Sequence, residues 1–64
     1  MMKIKSSVNI GKYAVLTFDS IPRGFKRLKI GGKVYGAMVA YEIENSVAIE
    51  SSLDFSGMDA EFLE

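Results

Sequence analysis

The sequence contains no cysteine, no histidine and no tryptophan, and only one proline. Without cysteine there is no disulfide and no thiolate metal site, and without histidine the other common structural zinc ligand is missing as well. The same two absences remove the reactive thiol and the commonest general base of enzyme catalysis. Apolar stretches are short, far below the roughly 20 residues that a membrane span requires. The charged start, Met1 to Lys5, is not followed by an apolar run, so no signal peptide is expected. These features lead us to expect a cytoplasmic chain that is not an enzyme, with no cofactor, no metal and no membrane association.

The 64 residues leave room for one small domain, 1–64. Leu63-Glu64 reads as a pair left by cloning before a purification tag and carries no argument. A chain of this length buries only about 60% of the surface that its unfolded form exposes. Close packing, or association with another chain, must supply what disulfides or metals supply in other small domains. The composition is nevertheless that of a folded protein, with 48% apolar residues and 25% charged residues.

Alternation with a period of two dominates the chain. Met2-Lys3-Ile4-Lys5 and Val8-Asn9-Ile10 place apolar residues on even positions, as in a half-buried strand. Ser6-Ser7 interrupts them as a bulge or twist point. After a turn at Gly11-Lys12, Tyr13 to Phe18 is apolar on both faces, which predicts a central strand. Asp19 to Gly24 is a loop, since Pro22 cannot donate to a ladder. Phe25–Ile30 and Lys33–Tyr41 flank Gly31-Gly32 and predict a two-residue hairpin. Pairing Ile30 with Lys33 sets Leu28 against Tyr35 and Arg27 against Gly36. One face then carries Leu28, Ile30, Tyr35, Ala37 and Val39; the other carries Phe25, Arg27, Lys29, Val34, Gly36 and Met38.

A second turn is expected around Asn45, and Val47 to Glu50 resumes as a strand with Val47 and Ile49 on one side. Phe55-Ser56-Gly57 predicts another turn. Met58 to Phe62 alternates as an edge strand would, the rival being a short helical turn capped by Ser56. The expected fold is all-β, a five- to six-stranded antiparallel meander curled into a small, partly open barrel, SH3- or OB-like in size.

Charge is divided along the chain. All eight cations lie at or before Lys33, where Asp19 is the only acid, and the other seven acids follow Val34. Eight cations less Asp19 give +7, balanced by −7. Interleaved in the fold, the halves would pair across strands and fix register. Kept apart, they would make the molecule dipolar and present a basic end to an acidic surface or to a second copy.

Other features have plain structural readings. Ser6-Ser7 and Ser51-Ser52 have no base beside them, and Glu42 with Glu44 forms a solvated strand end rather than a cation site. The glycines match no phosphate loop. Met38 and Met58 are expected to fill gaps in the core.

The leading functional expectation is a non-catalytic interaction module that binds protein, itself included, through the basic hairpin or an exposed sheet edge. The alternative is a single-stranded nucleic-acid-binding barrel. In either case the candidate binding residues are Arg23, Phe25, Lys26, Arg27, Lys29 and Lys33, where cations would track phosphates while Phe25 stacks on a base.

Overall fold

The computed structural model describes residues 2–64 and contains seven strands: β1 (Met2–Lys3), β2 (Ser6–Ile10), β3 (Tyr13–Thr17), β4 (Arg27–Ile30), β5 (Lys33–Val39), β6 (Ser46–Glu50) and β7 (Asp59–Leu63). All pairings are antiparallel, in the order β1-β7-β4-β5-β6-β3-β2. Strands β1 and β2 stand at opposite ends of that order, yet only Ile4 and Lys5 separate them in the chain. The sheet must therefore curl to bring its ends near each other, giving the expected all-β form as a curled half-barrel. It has seven strands instead of five or six and is no simple meander, because β7 pairs with β1 and β4 and β3 pairs with β6.

Two strands serve both halves of the curl. In β5, residues 33–36 pair with β4 and residues 37–39 with β6. The other is residues 2–10, a first strand made of β1 and β2 in succession, which bends between them at a β-bulge. Lys5 N–H donates to Thr17 O at 2.8 Å although Thr17's register partner is Ser6, so two residues face one. The Ser6-Ser7 interruption in the sequence marks this place to within a residue. The result is a first sheet (β1, β7, β4 and the start of β5) and a second sheet (the end of β5, β6, β3 and β2).

Their inner faces share one core, in which Ile4, Leu16, Leu28, Val47 and Ile49 are fully buried beside Phe18, Ile30 and Phe55. The hairpin forms in the predicted register, Ile30 to Lys33, Leu28 to Tyr35 and Arg27 to Gly36. Its turn needs positive φ at both central positions, and Gly31 and Gly32 adopt +60° and +84°. Leu28 and Ile30 turn inward while Arg27, Lys29, Val34 and Met38 are exposed, as alternation requires.

The end of the chain departs from expectation in one respect. The segment 59–63 is a strand, not a helical turn, but it is no edge: β7 lies between β1 and β4. The preceding stretch runs antiparallel beside the first strand. Asn9 Nδ2 donates to Ser52 O at 2.8 Å, Ser7 Oγ accepts from Phe55 N–H at 3.1 Å, and Ile4 N–H donates to Met58 O at 2.8 Å. Within it, the Asp54 carboxylate accepts the Ser56 N–H at 2.9 Å, a short turn that holds its pKa below the ordinary aspartate value. Met38 and Met58 do not fill the core; they are 58% and 40% exposed. No helix among the described residues is long and apolar enough to cross a membrane.

Candidate interaction surfaces

The outer face of the first sheet carries much of the divided charge, and the halves interleave there. Acidic β7 runs between two basic strands, with Lys3 opposite Asp59 on one side and Lys29 opposite Glu61 on the other. Elsewhere Lys5 Nζ lies 3.0 Å from Asp19 Oδ1 and Lys12 Nζ 3.4 Å from Glu50 Oε2. Lys3, Lys12 and Lys29 of the basic half thus stand beside Asp59, Glu50 and Glu61 of the acidic half. Cross-strand pairs of this kind contribute roughly 0.2–1 kcal/mol each and disfavour a slipped register.

The six candidate residues are not gathered on one open face. Arg27 and Lys29 are exposed on the outer face of the first sheet. Lys33 sits at the hairpin's end with its Nζ 5.2 Å from the centroid of the Tyr35 ring. Arg23 and Lys26 are exposed in the segment before β4, and neither has an ion-pair partner among the described residues. Phe25 was expected on the basic face and is not there. Regular alternation begins only at Arg27, and the Phe25 ring packs inward, edge-on to Phe62 at 4.9 Å. Phe62 meets Phe18 in the same manner at 5.0 Å. The one aromatic that was to stack on a base is thus committed to the margin of the core.

A second surface was missed by sequence reasoning. On the outer face of the second sheet, register aligns Val8, Val15, Ala48 and Met38 in one cross-strand row. The next row is Ile10, Tyr13 and Glu50, with Lys12 at its edge, its Nζ 5.6 Å from the Tyr13 ring centroid. The bulge explains the surprise. Met2 and Ile4 pack toward the core, but the extra residue reverses the parity, so Val8 and Ile10 fall on the outer side with Val15 and Tyr13, and Ser7 and Asn9 on the side of Leu16 and Ala14.

The loop between β5 and β6 folds over this face. It is closed by hydrogen bonds from Ala40 N–H to Ser46 O and from Ile43 N–H to Ala40 O, at 2.9 and 3.1 Å. Asn45 turns it with φ of 55° and is tied to the Asp19 carbonyl at 3.0 Å. The fold-over covers Ser46 completely, whose hydroxyl is satisfied by Thr17 Oγ1 at 2.8 Å and Glu44 O at 3.2 Å. Between the loop and the sheet a groove of about 350 Å³ remains, with Ile10 and Val15 on the sheet side and residues 39–43 on the other. Tyr41 at its lip is 91% exposed, and Val8, Ile10, Met38 and Ile43 are each about half exposed.

Among the described residues no group of three acidic side chains converges as a metal site would require. Compared with protein-family models, curated proteins and solved structures, the chain has no match.

Proposed function

We propose that this chain is a non-catalytic β-barrel module that binds protein, and that it does so through the outer face of the second sheet. The observation carrying this reading is the concentration of Val8, Ile10, Met38, Tyr41 and Ile43, all exposed, on one face and its overhanging loop. Isolated exposed apolar residues are ordinary, whereas a contiguous patch rimmed by charge is the usual mark of an interaction surface. The basic hairpin has weaker support as the binding surface, because Lys29 faces Glu61 across strands, the other cations do not share one open face, and the Phe25 ring is packed against Phe62.

The test compares the wild type with a face variant, Val8→Asp/Met38→Asp, and a hairpin variant, Arg23→Ala/Lys26→Ala. All the altered side chains are exposed, so circular dichroism should show the same fold in each. Affinity capture and self-association measured in parallel should reveal at least one bound protein, another chain or a second copy, that depends on the face and not on the hairpin. Binding that survives in the face variant, or steeply salt-dependent binding of single-stranded DNA by the hairpin, would refute the reading.

A further inference from the structure

We infer that the occupant of this face is a second copy of the same chain, docked face to face about a twofold axis; the inference rests on the reading above. An isologous contact requires a surface complementary to itself, so that each feature finds its counterpart on an identical patch. This face has both members of such a pair. Tyr41 projects from it, 91% exposed, and beside Tyr41 lies a groove of about 350 Å³, room enough for one large side chain. A twofold axis lying between the faces, across the groove, places Tyr41 of each copy at the groove of the other.

The charges follow the same symmetry. Glu42, with Glu44 two residues on, stands in the loop at the β5–β6 end of the sheet and lines the groove, while Lys12 stands in the turn after Ile10 at the opposite end of the strands. The same axis exchanges the two ends, so Lys12 of one copy meets Glu42 of the second copy, twice per dimer. Lys12 is available for this. Its contacts are Glu50 at 3.4 Å, both side chains about two-thirds exposed, and the Tyr13 ring. Exposed pairs of that kind are weak and readily exchanged.

Size agrees as well. A standard interface covers about 800 Å² per partner, about a fifth of this protein's 4280 Å². For a body measuring 26 × 25 × 19 Å, that is on the order of one face. A short peptide would fill the groove but leave Val8 and Met38 in water; a second sheet covers both. The gain is also one that a 64-residue domain without disulfides can use, since association that only the folded form can make adds to stability.

Sedimentation equilibrium over a wide concentration range, at low salt, tests the arrangement with four proteins: wild type, Lys12→Glu, Glu42→Lys and the double exchange. The wild type should sediment as a dimer at the upper concentrations. Each single reversal sets like charges together and should raise the dissociation constant at least tenfold. The double exchange should restore it to about the wild-type value, although the Lys12–Glu50 pair is still lost. Tyr41→Ser should weaken the dimer without altering the charge pattern. A wild type that is monomeric throughout, or a dimer indifferent to the exchange, would overturn the inference. If the protein is monomeric while face-dependent capture of another protein persists, only the self-docking falls; if no species depends on the face, both readings fall.

Discussion

Whether Phe25 is a recognition ring or a packing ring can be decided by stability measurements. It meets Phe62 edge-on at 4.9 Å with planes at 77°, and Phe62 meets Phe18 at 5.0 Å with planes at 60°. Edge-to-face pairs of this geometry contribute about 0.5–1.5 kcal/mol beyond the area they bury. For 64 residues, at about 0.05–0.15 kcal/mol per residue, the whole molecule is stable by roughly 3–10 kcal/mol. One ring pair is therefore a measurable fraction of the total. Replacing Phe25 and Phe62 by Leu, singly and together, keeps most of the apolar volume and removes the ring geometry. Urea unfolding followed by circular dichroism gives the four stabilities. With a slope near 1 kcal/mol per molar, each kcal/mol shifts the midpoint by about 1 M. The double-mutant cycle should return a coupling of about 0.5–1.5 kcal/mol. A coupling below about 0.3 kcal/mol, with Phe25→Leu neutral for stability, would show that the ring is free. In that case Phe25→Leu should instead weaken single-stranded DNA binding by the roughly 1–3 kcal/mol typical of a stacked base.

Two further outcomes follow from the geometry. Leu28→Ala should cost about 2–5 kcal/mol in the same urea assay, since the side chain is fully buried, whereas the adjacent, exposed Lys29→Ala should stay within about 0.5 kcal/mol; equal effects would contradict the assigned faces of the hairpin. Asp54 should titrate below the ordinary aspartate value of 3.8, because the Ser56 main-chain N–H and then the Ser56 hydroxyl favour its charged form. A lowered folded-state pKa means that this contribution to stability is present above the ordinary value and is lost as pH falls through the lowered one. Carboxyl-detected NMR should show that midpoint, and Ser56→Ala should raise it only part of the way, as the main-chain donor remains.

Much of the fold was legible because much of it is local. Gly31-Gly32 fixes a two-residue turn, and a two-residue turn fixes the register of the strands on either side, so the Leu28–Tyr35 and Arg27–Gly36 pairs could be written down in advance. The turn at Asn45 and the inward side of Val47 and Ile49 were equally local. The placement of β7 was not. Alternation shows that a strand forms but not how many neighbours it has, and the second side of β7 is supplied by β1, more than fifty residues earlier in the chain.

The two candidate surfaces diverge for the same reason. The basic hairpin stood out because cations close in sequence are easy to see, yet the pairing of β4 with β7 set Glu61 against Lys29. The apolar face stayed hidden because Val8 and Ile10 continue the even-numbered pattern of Met2 and Ile4. Only the bulge at Lys5 and Ser6, opposite Thr17, turns them outward.

What the amino-acid order settled by itself was the class of fold, its hairpin and the absence of histidine and cysteine, since these depend on composition, period and turn residues. Tertiary structure alone decided the order of the strands, the neighbours of each charge and the side on which Val8, Ile10 and Met38 emerge. Those depend on contacts between residues far apart in the chain, and on one extra residue that reverses which way every later side chain of its strand points.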